Sequence, residues 1–175
     1  MRVILMEDNY DISNLKKKKK INSRTKGASF ERQIATVLNK RFNTKEFSRT
    51  PGSGAFATTH NLPEHLKLHG DLITPKNFSY CIECKKGYNK ENLYSLYNYR
   101  SDFWKFILQC QRDSDLCNKH PMIIFKQDRQ KTLVVVPSYI IYKESKYIEL
   151  HKEDKSYKMY YLDDLLKEED YHWFD

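Results

Sequence analysis

Asp71, Glu83 and Lys85 are the residues of this sequence whose types and spacing could do chemistry together. Gly70–Thr74 and Tyr80–Lys85 read as short strands, and Pro75, Lys76 and Asn77 between them are turn residues. If the turn centres on Asn77, Asp71 stands opposite Glu83, and opposed residues of antiparallel strands project to one face. Lys85, two residues beyond Glu83, shares that face, while Leu72, Ile82 and Cys84 point the other way, toward a core. Adjacent carboxylates repel unless a proton or a metal ion intervenes. Mg²⁺ (or Mn²⁺) suits such a pair because it takes hard oxygen ligands and keeps several waters, and the backbone carbonyl of Cys84 offers a further oxygen. A metal there would polarise a phosphate and activate a water, with Lys85 orienting that water or steadying the developing charge. The same spacing also describes a surface salt-bridge cluster on a hairpin, and spacing alone does not choose between the two.

The elements that must position these residues follow from periodicity. Phe30, Ile34, Val37 and Leu38 recur at helical spacing and predict a helix over Ala28–Phe42. Pro51, Gly52 and Gly54 open a long loop that runs to about His69; a loop of that length in a compact domain points to function. After Gly87 a tyrosine-rich stretch leads to a second helix, Asp102–Leu116, with Phe103, Trp104, Ile107 and Leu108 as its apolar stripe. Strands follow at Met122–Phe125 and Thr132–Val136, then Tyr147–Leu150, Tyr157–Leu162 and an acidic end that suggest a strand or two and a short helix. The order of helix, hairpin, helix, strand, strand is that of the α/β class, a mixed sheet flanked by helices. The expected organisation is a basic arm over residues 1–24 and one domain over 25–175, with a core at 25–136 and a C-terminal extension at 137–175.

Composition narrows the partners. Lys plus Arg number 31 against 23 acidic residues, a formal charge of +8, so nucleic acid is the leading polyanionic partner. No apolar run approaches the roughly 20 residues that span a bilayer, and the start lacks a signal peptide's basic-then-apolar order, so an intracellular protein without a membrane partner is expected. The lysine run Lys16–Lys20 is either a solvated tail or a contact to the DNA backbone. Cys81 and Cys84 have a C-x-x-C spacing, but on one strand they face opposite sides, so free thiols are expected rather than a zinc site. His60, His65 and His69 share the long loop and are expected to be solvated rather than a metal trio. Gly52-Ser53-Gly54 could bring backbone N–H groups and a hydroxyl close to phosphate, with Arg49 adding a charge-assisted bond. Tyr94, Tyr97 and Tyr99 either contact nucleic acid or cover the second helix.

The segment Gly70-Asp71 followed by Ile82-Glu83-Cys84-Lys85 resembles the D…(D/E)-x-K signature of PD-(D/E)XK nucleases. Its flanks extend the likeness. Lys26-Gly27-Ala28-Ser29-Phe30-Glu31-Arg32 resembles the opening helix of archaeal Holliday-junction resolvases and related phage nucleases. Arg49-Thr50-Pro51-Gly52-Ser53-Gly54-Ala55 is similar to their R-x-x-G-S-G loop. Phe103-Trp104 with Gln109, Arg112-Asp113 and Pro121–Lys126 is similar to the helix and strand that follow. The resemblance spans about residues 24–136 and implies a restriction-endonuclease-like fold. It implies that Asp71 and Glu83 bind metal, that Lys85 is the catalytic lysine and that Glu31 reaches the metal or its water. Ser53 would sit near the scissile phosphate, and Gln109 would support the site, with Gln111 close enough in sequence to leave that choice open. Arg24, Lys26 and Lys86 are expected DNA contacts beside the Arg49 loop. The implied activity is endonucleolytic, on branched DNA such as a four-way junction, by a homodimer that needs no organic cofactor. Flap or duplex DNA is the alternative substrate, and a basic DNA-binding protein without catalysis is the alternative of another class. One departure stands out: Leu68-His69-Gly70 precedes Asp71, where the superfamily's name has proline.

Overall fold

A computed structural model describes residues 22–51, 69–142 and 145–175. Helix α1, Ser23–Arg41, begins five residues before the expected start, because Asn22 caps it by accepting a hydrogen bond from the Arg24 amide at 3.1 Å. Its buried face carries Phe30, Glu31, Ile34, Ala35 and Leu38. Two short strands follow, β1 at Ser48–Arg49 and β2 at Leu72–Ile73. The main sheet is built from β3 (Tyr80–Lys86), β4 (His120–Lys126), β5 (Leu133–Pro137), β6 (Ile148–Lys152) and β7 (Lys155–Tyr161), in the order β3-β4-β5-β7-β6. Between β3 and β4 lie the short helix α2, Leu93–Tyr97, and the long helix α3, Phe103–Cys117. The chain closes with helix α4, Leu162–Leu165, and a 3₁₀ turn at Asp170–His172.

The sheet is mixed, as expected. β3 and β4 run parallel, because α3 carries the chain back across the sheet between them, and the other pairs are antiparallel. Strand alternation sorts the side chains into two cores. Ile82, Cys84, Met122, Ile124, Val134 and Val136 face α1. Ile123, Phe125 and Val135 face α3, where they meet Phe103, Trp104, Phe106, Ile107 and Cys110. The stripe predicted on α3 included Leu108, but that residue is 52% exposed, and the helix buries Phe106 and Cys110 in its place.

The expected hairpin between β2 and β3 does not form. β2 pairs antiparallel with β1, Ser48 opposite Ile73 and Arg49 opposite Leu72, and β3 takes β4 as its ladder partner. The reason lies at the base of β3, where the C-terminus occupies the backbone groups that a hairpin would need. Ser79 N–H donates to the Trp173 carbonyl at 2.9 Å, Asp175 N–H donates to that of Asn77 at 2.9 Å, and Phe78 bridges to Phe174. Residues beyond Val136 therefore belong to the same folded body, with Trp173 fully buried in the core on the α1 side. No helix among the described residues is long and apolar enough to cross a membrane.

Candidate active site

β3 is the edge strand of its sheet, so one row of its backbone groups is open to whatever lies alongside. Gly70-Asp71 lies there. The Asp71 amide donates to the Ile82 carbonyl at 2.8 Å, and its Oδ2 accepts the Cys84 amide at 2.7 Å. This close approach requires glycine at position 70. Gly70 has φ +74°, and a Cβ there would meet the Ile82 carbonyl oxygen at 2.7 Å and the Cys81 sulfur at 2.9 Å. The sequence reading placed Gly70 at the start of a strand and noted it where the superfamily's name has proline, and it missed this role; the strand itself begins at Leu72.

Glu83 and Lys85 project from β3 toward α3, with Glu83 the more deeply buried. Lys85 Nζ forms an ion pair with Glu83 Oε1 and donates to Gln109 Oε1 at 3.2 Å, while Gln109 Nε2 donates to Glu83 Oε1 at 2.8 Å. A triangle of contacts thus fixes the three side chains. Gln111, the other candidate on this helix, turns outward and donates to Asp115 at 2.8 Å. Phe106, one turn before Gln109, puts its ring 5.1 Å from the Lys85 ammonium. Its signal in the sequence was its place on the same helix face as Phe103 and Cys110.

Glu31 reaches in from α1, and Arg49 Nε donates to its Oε2 at 2.5 Å. Three carboxylates therefore surround one cleft, facing Lys85 and the Arg49 guanidinium. Burial first, then repulsion from Glu83 and Glu31, pushes the Asp71 carboxyl up to about 7. Burial also raises Glu83, against the pull of Lys85. Burial works against the Lys85 ammonium, but the Glu83 carboxylate outweighs it and keeps the group charged.

A divalent cation would relieve the repulsion between Asp71 and Glu83. Among the described residues no three acidic, histidine or cysteine side chains converge closely enough to cage an ion. The donors at hand are Asp71, Glu83 and the Cys84 carbonyl. That carbonyl faces the open edge, because the N–H and C=O of one strand residue point to the same side. Two carboxylates and a carbonyl, completed by water, fit Mg²⁺ or Mn²⁺.

The basic residues expected at DNA are dispersed. Arg24 is exposed on the first turn of α1. Lys26 pairs with Asp128 at 2.7 Å, and the Lys86 ammonium lies over the Phe30 ring at 5.5 Å. Lys26 and Lys86 both line the cleft that holds Asp71 and Glu83. Gly52, Ser53 and Gly54 lie outside the described residues, as do Lys16–Lys20, His60 and His65. Cys81 and Cys84 point to opposite faces of β3, Cys84 into the α1-side core and Cys81 toward Cys117 at the end of α3, and both are free thiols.

Comparison with known proteins places the chain among relatives. A family model described as "Phage putative PDDEXK endonuclease" matches residues 22–174. The chain is similar to Protein D14 of Escherichia phage T5, with 36% identity over 124 residues, covering 67% of this chain and 72% of that protein. No solved structure matches.

Proposed function

The chain belongs to the phage PDDEXK endonuclease family, and on that premise we propose that it hydrolyses DNA phosphodiester bonds at the cleft of Asp71, Glu83 and Lys85, with Mg²⁺ or Mn²⁺ as cofactor. PD-(D/E)XK nucleases generally use divalent metals. The observation that carries the reading is the buried pair Asp71 and Glu83, each with its carboxyl pushed upward, beside a lysine held charged. Lys85 pairs with Glu83, whereas Asp71 accepts the Cys84 amide and is repelled by Glu83 and Glu31.

In this reading Asp71, Glu83 and the Cys84 carbonyl hold the ion. The ion supplies Lewis acidity toward the scissile phosphate. Lys85 steadies the negative charge that builds on the phosphate oxygens and orients the attacking water. Gln109 positions both Glu83 and Lys85 through its two bonds. Glu31 acts on the metal or its water from α1, and Ser53 contacts the phosphate flanked by Gly52 and Gly54. Arg24, Lys26, Arg49 and Lys86 meet the DNA backbone.

The proposed substrate is a branched recombination intermediate, in particular a four-way junction, cut in pairs by a homodimer. A net charge of +8 supports backbone-led recognition of shape over base sequence. End-labelled blunt duplex, flapped duplex and four-way junction, incubated with the protein and Mg²⁺, test the choice. Preferential cleavage of the junction is expected; equal cleavage of the blunt duplex would overturn the branched assignment.

A further inference from the structure

The segment between β3 and α3 displays its aromatic rings instead of burying them. On α2, Tyr94 and Tyr97 are 82% and 84% exposed, and Tyr99 follows at 55%. Tyr99 packs against the Trp104 ring of α3 at 5.8 Å, but Tyr94 and Tyr97 are not needed to cover that helix. Leu96 does that from beneath, where its carbonyl accepts the indole N–H of Trp104 at 3.3 Å. The backbone that carries the rings is firmly braced. Asn92 and Ser95 form a reciprocal capping box, and the Glu91 carboxylate accepts the hydroxyls of Ser95 and Ser101 and the Asp102 amide. Tyr99 adopts φ +54°, held there by its own amide bonded to the Leu96 carbonyl at 3.1 Å and by Arg100 N–H bonded to that of Ser95 at 2.9 Å.

These rings border a groove whose far wall is Glu149–His151 of β6. The Lys152 ammonium reaches over Tyr99 at 5.9 Å and over Trp104 at 5.5 Å. Lys90 and Arg100 flank the tyrosines in sequence, and the carboxylate on the groove, Glu149, lies 3.9 Å from His151 Nε2. The groove lies on the same side of the sheet as Glu83 and Lys85, toward the opposite edge, and the chain from Tyr88 links the two. Tyr88 lines the cleft with Glu83 and Lys85, and its ring packs edge-on against Phe106 at 4.7 Å, the same ring that lies beside Lys85. The chain from Tyr88 to Tyr94 can span at most about 20 Å, the length of roughly six stacked nucleotides at about 3.4 Å each.

We propose that Tyr94, Tyr97 and Tyr99 form a stacking platform for the unpaired bases of single-stranded DNA whose backbone leads on to the cleft of Asp71 and Glu83. This rests on the nuclease reading for the identity of the cleft and concerns branched DNA that carries an unpaired strand, such as a flap, rather than a fully paired junction. Base faces are covered inside a duplex and are open only in a single strand, so exposed rings on a rigid support select unpaired bases. The cations around the rings suit a phosphate backbone; a second copy of this chain would bring Lys90, Arg100 and Lys152 against their own like charges.

Fluorescence anisotropy tests this without cleavage. Labelled oligo(dT) and a blunt duplex of equal length are titrated in the absence of divalent cations with wild type and two variants: Tyr94→Ala/Tyr97→Ala and Tyr94→Phe/Tyr97→Phe. The alanine pair is expected to weaken oligo(dT) binding at least about tenfold and duplex binding by less than about twofold, while the phenylalanine pair retains both. Cleavage is tested separately with Mg²⁺: a Glu83→Ala protein that still cut DNA would remove the nuclease reading and leave the binding result standing. All four tyrosine substitutions are at exposed positions, and unchanged thermal unfolding checks the fold. Equal losses on both DNAs, or no loss on oligo(dT), would overturn the proposal. So would a self-association, seen by ultracentrifugation, that disappears in the alanine pair while oligo(dT) affinity stays unchanged.

Discussion

At Asp71, burial and the negative charges of Glu83 and Glu31 oppose ionisation, and the carboxyl is pushed up to about 7 from an ordinary value of 3.8. The folded protein therefore binds a proton at this site more tightly than the unfolded chain does. In the absence of metal, its stability should fall as pH rises from about 4 to about 7, with the full cost present above that. Asp71→Asn keeps an oxygen for the Cys84 amide and removes the charge. At about pH 8 in EDTA this variant should melt about 5 °C higher, the shift expected for roughly 2 kcal/mol in a chain of this size, and its melting temperature should vary less across the acid limb than that of wild type. A variant that melts lower would show that the carboxylate is balanced in the metal-free fold. Glu83 and Lys85 could be placed on one face from the sequence, because alternation along a strand is a property of the backbone itself. The choice of Gln109 over Gln111 could not be made there, because it depends on the phase at which α3 settles against the sheet, set by Phe103, Phe106 and Cys110.

At the scale of elements, the site depends on a loop meeting an edge strand, not on a hairpin. Asp71 arrives at β3 through one backbone bond and one side-chain bond, and Gly70 makes the approach possible. Gly70→Ala should lose at least about 2 kcal/mol, since a Cβ meets a backbone oxygen and the residue sits at positive φ. Urea unfolding measures this, and cleavage should fall with it because Asp71 is displaced; unchanged stability would contradict the role given to Gly70. The strands of the main sheet were legible from β-branched and aromatic runs bounded by turn residues, but β1 at Ser48–Arg49 was not. Nor was the pairing of the strands. The partner of β2 is Ser48–Arg49, more than twenty residues upstream, and local turn chemistry at Pro75–Asn77 carries no information about it. The groups that stop the hairpin come from Trp173 and Asp175, the most distant part of the chain.

At the scale of the molecule, the last forty residues complete the body that holds the site. β6 and β7 extend the sheet, and Trp173 packs with Phe42, Phe78 and Tyr80 beneath the base of β3. Trp173→Ala should cost about 3–5 kcal/mol in urea unfolding; a loss below about 1 kcal/mol would mean that the C-terminus only decorates the fold. The resemblance read from the sequence faded after Val136, since this part contributes packing and no charged motif. The proposed site draws on the whole assembly, with β3 supplying Glu83 and Lys85, the adjoining loop Asp71, α1 Glu31 and α3 Gln109. The most direct measurement is cleavage of labelled four-way and duplex DNA by wild type, Asp71→Ala and Glu83→Ala, with Mg²⁺ and with EDTA. Wild type should cut only with the metal, and each variant should lose at least about a hundredfold in rate while melting as a folded protein. Either variant cutting as fast as wild type, or wild type cutting undiminished in EDTA, would contradict the assignment of this cleft as a metal-dependent nuclease site.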